Sequence, residues 1–509
     1  MFLKRQGLSE FYLGNIRERS IFSAFSKKSR YFITVMFMKR LKPILILFTV
    51  SGLVFCTCCQ NSAEGKKAES RKTPVPVEDT TYTLHLTPEQ KAAILARPRN
   101  KQLQQELSIF YNKQLLRTGF NGGIIVAKKG VVLFEQYHGI EDLSSRQPIS
   151  DSSTFQMASV SKTFTAMGIL WLMEHGKLNL DDNVQLYIPD FPYNGITIRL
   201  LLSHRSGLPN YLYFCETMVK DKGQFLSNQD VIDLMIKNKP AIHRPPNRGF
   251  EYNNTNFMLL GSIIEKVSGM KYADFLQQTF FTPIGMHSTF VYNPTAPKRP
   301  HQTVSMRGNR QEPDTYFDGV IGDKGIYSSV PDMLKWDQAL YSGNLFKPET
   351  LEAAYRAYSH ERPGIRNYGL GWHLMIHPDS SKIVYHNGWW HGNNLVFTRF
   401  VEDTTTIIIL GNKYNTGIYH AVAPISEILG HSDAADDGED ASEGTPTTAP
   451  NAPITVADSS KNAILTPVPR VPHRKSNLHR KSATTKKKTA GKPLHRTTTG
   501  TTTIKKKKK

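Results

Sequence analysis

Ser159-Val160-Ser161-Lys162 leads straight into a stretch in which Phe164, Met167, Leu170 and Trp171 recur at helical spacing until Gly176. The pattern predicts a helix opening near Ser159, with those four side chains as its buried stripe. A serine and a lysine three residues apart at a helix start share one face, one turn apart. The lysine amine then stands beside the serine hydroxyl. Serine is a poor nucleophile until a neighbouring base takes its proton, and a desolvated lysine can be that base. The positive end of a helix also favours a developing oxyanion. An S-x-x-K tetrad is common, so its weight rests on what accompanies it.

Upstream, Thr87-Pro88-Glu89-Gln90 reads as a helix start, with Thr87 as cap and Gln90 reaching back. Helical spacing continues towards Leu116. Gly122 to Ala127 and Val131 to Tyr137, split by Lys128-Lys129-Gly130, read as a β-hairpin. Downstream the chain reads as helical: Ile198 to Leu202, Asn256 to Val267 stopped by Gly269, Tyr272 to Phe280 before Pro283, and Pro331 to Leu340. Strands return at Ile383 to His386, Leu395 to Phe400 and Thr405 to Leu410. Strands at both ends with helices between predict an α/β fold of the α+β kind. One antiparallel sheet is built from the N- and C-terminal strands, flanked by helices, beside a mostly helical region.

The chain has 509 residues and a formal net charge of +21, unevenly spread. Both ends are basic; Ser459 to Lys509 carries Lys and Arg but no Asp or Glu. The portion between is close to neutral, so the overall charge says nothing about a site inside it. Lys39, Arg40 and Lys42 precede an apolar run from Pro43 to Phe55, the length of a signal-peptide core rather than a membrane span. Cys56, Cys58 and Cys59 follow, which resembles a bacterial lipoprotein signal, although Phe55 stands where such signals carry a small residue. An uncleaved anchor and ordinary secretion are the other readings. Met36 or Met38 is the expected start of translation. The expected address is the cell envelope, lipid-anchored in the periplasm or on the outer surface. Cys215 is the one cysteine beyond this cluster, which excludes a disulfide framework or a cysteine metal site there.

Two further segments carry chemistry. Tyr252-Asn253-Asn254 places a phenol and an amide two residues apart, on one side of an extended backbone. A cation near a tyrosine favours phenolate, which can act as base and later return the proton. His386-Asn387-Gly388 ends a β-run, where a strand can offer backbone N–H groups to an acyl group and glycine permits close approach. Each alone is weak: most such tyrosines and histidines are structural.

S-x-x-K, then Y-x-N, then H-x-G before the terminal strands, in that order, resembles the serine β-lactamase and penicillin-binding-protein superfamily. The tyrosine motif looks like its class C branch, with esterase and D-amino-acid peptidase relatives. Phe155-Gln156-Met157-Ala158, Leu201 to Pro209 and Gly325-Ile326-Tyr327-Ser328-Ser329 look similar to that family too. The resemblance covers roughly residues 100 to 425. It implies that Ser159 is the acylated nucleophile, Lys162 its activator, Tyr252 the base or proton relay, and Asn254 a bridge to Lys162 or to substrate. The backbone N–H groups of Ser159 and Trp389 would form the oxyanion hole. Asn254, His386, Gly388 and Trp389 would line the substrate.

Two departures stand out. His386 occupies a place where many relatives have lysine, and a histidine is mostly neutral at pH 7. A fixed cation for a substrate carboxylate is thereby lost, which disfavours efficient β-lactam turnover. Trp389, Trp390 and His391 add bulk, expected either to wall the cleft or to pack under the sheet. No metal or cofactor is expected. The resulting organisation is 1–59 extension and lipoprotein-type signal, 60–86 linker, 87–429 hydrolase domain, and 430–509 an acidic, then polybasic tail. The expected substrate is a small-molecule or peptide acyl compound: an ester, a D-amino acid amide or a cell-wall peptide fragment. A peptidoglycan- or partner-binding protein of the same fold is the alternative, as is a true β-lactamase or DD-peptidase. The tail is expected to meet anionic envelope surface rather than nucleic acid.

Overall fold

The computed structural model describes residues 86–361 and 363–431. The signal and linker (but for Leu86) and the tail (but for Gly430 and His431) lie outside the described residues.

The hairpin expected from Gly122 onwards forms strands β1 (Gly122–Lys128) and β2 (Val131–His138). The C-terminal half supplies β3 (Arg366–Tyr368), β4 (His373–Ile376), β5 (Lys382–Trp390), β6 (Asn393–Phe400) and β7 (Thr405–Gly411). They make one seven-stranded sheet in the order β2-β1-β7-β6-β5-β4-β3, antiparallel throughout. The two ends of the chain meet where β1 pairs with β7, Ile124 opposite Ile409. β7 is apolar at consecutive positions, Ile407 to Leu410, because both faces of the sheet are covered. Ile125, Val384, Leu395, Phe397, Ile408 and Leu410 join one buried cluster; Ile124, Val126, Ile383, Val396, Ile407 and Ile409 join the other.

The second cluster is covered by the terminal helices, α1 (Pro98–Lys113) and, at the far end, a helix at Val422–Leu429. Before α1 a short helix, Pro88–Leu95, carries the expected cap. Thr87 Oγ1 accepts from Gln90 N–H at 3.2 Å, and Gln90 Oε1 accepts from Thr87 N–H at 2.8 Å.

The first cluster holds α2 (Ser161–Glu174) and α3 (Asn254–Ser268). α2 is buried on all sides, not along one stripe. Every residue from Ser161 to Leu170 is buried, while Trp171, expected in the stripe, is half-buried. A helix enclosed all round is a central element, here packed against α3 and the sheet. Phe164 stacks on Trp336, centroids 4.5 Å apart, from α4 (Val330–Ala339).

Two sequence readings differ from the structure. The single helix expected over Tyr272 to Phe280 is a short helix, Tyr272–Leu276, continued by a π turn at Gln277–Phe281. Pro283 follows; it lacks an N–H and its ring clashes with the carbonyl four residues back, which a wider turn relieves. β3 and β4 went unread because they are too short to display alternation.

Candidate active site

Ser159 lies in a single 3₁₀ turn, Ala158–Val160, that feeds α2. Ala158 adopts φ +44°, a left-handed conformation unusual for a side chain with a Cβ. Neighbouring backbone holds the turn in place: Met157 N–H donates to the Ile326 carbonyl at 2.7 Å, and Val160 N–H to the Met157 carbonyl at 2.9 Å. Ile326 belongs to a three-residue strand, Ile326–Ser328, that pairs with Phe155–Gln156.

Lys162 is fully buried one turn on. Its Nζ donates to Ser159 Oγ at 3.0 Å and to the Asp323 carbonyl at 2.8 Å. It lies 5.1 Å from the centre of the Tyr252 ring and 5.8 Å from that of Phe257. Burial pushes its amine down to about 7, with Asp323 opposing and the positive charge of Lys324 adding. The Ser159 hydroxyl, the Lys162 amine and the Tyr252 ring thus lie in one cluster.

Asn253 caps α3 by accepting from Thr255 N–H at 2.9 Å, which turns the chain so that Tyr252 precedes the helix and Asn254 opens it. Asn254 is buried. Of the two roles expected for Asn254, a bridge to Lys162 or to substrate, the first has no hydrogen bond among the described residues: the amine bonds Ser159 Oγ and the Asp323 carbonyl. Tyr252 packs among three histidines, with ring centroids 4.4 Å from His204, 5.9 Å from His373 and 6.3 Å from His386.

His386 is buried on β5. Its Nδ1 meets the Asn387 carbonyl at 2.7 Å; a carbonyl only accepts, so Nδ1 carries the proton. Nε2 is then the acceptor for the Tyr368 hydroxyl at 3.4 Å. Burial, then His373 and Lys162, hold it well below the usual histidine range. His386 is a neutral imidazole, not a cation standing in for lysine.

Gly388 follows on β5. A Cβ there would come within 2.8 Å of the Met157 carbonyl and 3.3 Å of Ala158 Cβ. The strand therefore lies against the turn that carries Ser159, and only glycine allows that approach. Trp389 donates its indole N–H to the His391 carbonyl at 2.9 Å, and Trp390 donates to Asp318 Oδ1 at 2.7 Å. Both indoles are half-buried, anchored at one edge and open at the other. Asp314, Asp318 and His391 are the one group of possible metal ligands among the described residues. Asp318 already accepts from Trp390, His391, Gln156 and Thr315, which makes it an anchor for the β5–β6 turn.

Sequence reasoning missed three contributors. His204 Nδ1 accepts from Asn253 N–H at 3.1 Å and fixes the tyrosine turn from below. Asp323 and Lys324 sit between Gly322 and Gly325, both at left-handed φ (+97° and +91°). The signal was Gly322-Asp323-Lys324-Gly325 itself, a kinked charged pair just ahead of a strand. Cys215 is buried and free, its thiol pushed up to about 12 by burial, so it is inert packing.

The beta-lactamase family model matches residues 113–423. Penicillin-binding protein 4* of Bacillus subtilis (strain 168) is 35% identical over 311 residues, which cover 58% of this chain and 68% of that protein. Among solved structures, the octameric penicillin-binding protein homologue from Pyrococcus abyssi has a TM-score of 0.56 at 25% identity, over 64% of this chain and 77% of that one. D-amino acid amidase from Ochrobactrum anthropi SV3 has a TM-score of 0.54 at 24% identity, over 66% and 99%, a likeness of fold.

Proposed function

This chain belongs to the β-lactamase family of serine hydrolases, and from that premise we propose that it works through a Ser159 ester on esters, D-amino acid amides or cell-wall peptide fragments. The observation that carries the reading is the 3.0 Å contact between Ser159 Oγ and a buried lysine amine lowered to about 7. Lys162 takes the hydroxyl proton as Oγ attacks the acyl carbon. The backbone N–H groups of Ser159 and Trp389 receive the oxyanion. Tyr252 relays the proton to the leaving group, and water then cleaves the ester.

His386 sets the substrate. A neutral imidazole where relatives carry lysine favours acyl compounds without an obligatory carboxylate. The name of the Bacillus subtilis relative speaks for acylation by penicillin; the histidine speaks against its efficient turnover. Lys39, Arg40, Lys42 and the apolar run after them favour an envelope address.

The test is labelling with a fluorophosphonate and with a fluorescent penicillin, on wild type and Ser159→Ala. The fluorophosphonate should leave an adduct that maps to Ser159 and vanishes in the variant. If no serine-directed probe labels the wild-type protein on either side of neutral pH, the enzymatic reading fails and a binding role takes its place.

A further inference from the structure

Asp323 stands between two lysines. Its main-chain carbonyl accepts from Lys162 Nζ at 2.8 Å. Its carboxylate lies 3.4 Å from Lys324 Nζ and accepts from the Tyr211 hydroxyl at 2.8 Å. Lys324 also donates to the Tyr211 oxygen and lies 4.9 Å from the centre of the Trp390 ring. Asp323, Lys324 and Tyr211 are 1%, 3% and 0% exposed, so water does not screen the group.

Two lysines share the Asp323 carboxylate in that dry space, and a buried ammonium without a close counter-ion is costly. The partners decide which lysine gives up its proton. Lys324 touches the carboxylate. Lys162 touches only uncharged oxygens, Ser159 Oγ and a peptide carbonyl. We propose that Lys324 is a positioning residue: by holding the Asp323 carboxylate in an ion pair, it weakens the pull of that carboxylate on Lys162 and so loosens the amine's hold on its proton beside Ser159. The use of the amine rests on the hydrolase reading above; its protonation does not.

The other groups around the pair leave this assignment intact. Facing Lys162 are Tyr252, His204 and His386, and both histidines are held well below their ordinary range and uncharged. Facing Lys324 are Tyr211, Cys215 and Asp318. The Cys215 thiol is neutral, and the Asp318 carboxylate, which burial pushes up, is held low by His391 at 2.9 Å and by the charge of Lys324, so Lys324 has a second carboxylate nearby. Lys162 itself is driven down by burial; Asp323 pulls it back up, and the charge of Lys324 works against that pull by a smaller amount.

The experiment compares Lys324→Met and Lys324→Arg with wild type in protein carrying ¹³C at lysine Cε. The Lys162 signal is the one lost in Lys162→Met. In wild type it should titrate near neutrality, and the rate of Ser159 labelling should fall as pH drops through the same midpoint. In Lys324→Met the freed carboxylate turns to Lys162, so the midpoint should rise by about one unit or more. Labelling at neutral pH should then fall about tenfold and recover in alkali. Lys324→Arg, always charged, should keep the wild-type midpoint. A midpoint unmoved in Lys324→Met, or moved equally in Lys324→Arg, overturns the proposal. Should the methionine variant not fold by circular dichroism, Lys324→Gln reads the same titration. A midpoint that moves in a protein whose Ser159 is never labelled would sink the hydrolase reading and leave this one standing.

Discussion

On the reading proposed above, His386 is the side chain that sets what the pocket attracts. Buried and bonded at both nitrogens, it offers substrate a dipole and no charge. His386→Lys should raise kcat/KM for carboxylate-bearing acyl compounds over matched neutral ones by about tenfold, the yield of roughly 1.4 kcal/mol from one new ion pair. An unchanged ratio would mean that position 386 does not meet the substrate. That Ser159, Lys162 and Tyr252 come together was legible in the sequence, because helix geometry fixes the first two locally and motif order points to the third. Asp323 and Lys324 were not. Their roles exist only once a remote loop crosses beside α2, and no spacing along the chain encodes that crossing.

At the scale of elements, β5 and the 3₁₀ turn before α2 form one unit, joined where Gly388 meets Met157 and Ala158. Gly388→Ala would place a methyl 2.8 Å from the Met157 carbonyl and 2.9 Å from Leu395 Cδ1, so strand and turn must part. The donors expected around the oxyanion then separate. We expect Ser159 labelling to slow by about 10² or more, the usual effect of losing one such donor, with far-ultraviolet circular dichroism unchanged. Wild-type labelling in that variant would show that the strand does not shape the pocket. β1, β2 and β5 to β7 could be read from β-rich runs bounded by turns. The extent of β5 could not, because Trp389 and Trp390 carry it past the glycine that looked like its end. The burial of α2 on every side escaped too, since Ser161, Lys162, Thr163 and Thr165 look like a solvated face until the loop at Asp323 covers them.

Across the whole described portion, the sheet and the helical layer are tied by a buried ion pair. Arg399 on β6 donates to Asp337 of α4 at 2.6 Å and to the Tyr355 hydroxyl at 2.6 Å, and the arginine is 1% exposed. Arg399→Met leaves the carboxylate alone in a dry layer and should cost about 3–5 kcal/mol in chemical denaturation. Arg399→Met with Asp337→Leu should recover most of that loss. Equal destabilisation by the single and double changes would mean that packing, not charge, joins the layers. The α+β architecture was legible because strands gather at both ends of the sequence. The place of β7, inserted between β1 and β6, was not, since an antiparallel neighbour can come from anywhere along the chain.

That topology has a consequence for synthesis. Ser159 and Lys162 leave the ribosome early, but the strand that faces them, β5, emerges near the end, and β7 later still. Until then the hydroxyl has no roof and no dry surroundings, so on the proposed reading the growing polypeptide carries its Ser159–Lys162 pair unarmed and becomes competent only when its last strands zip against its first.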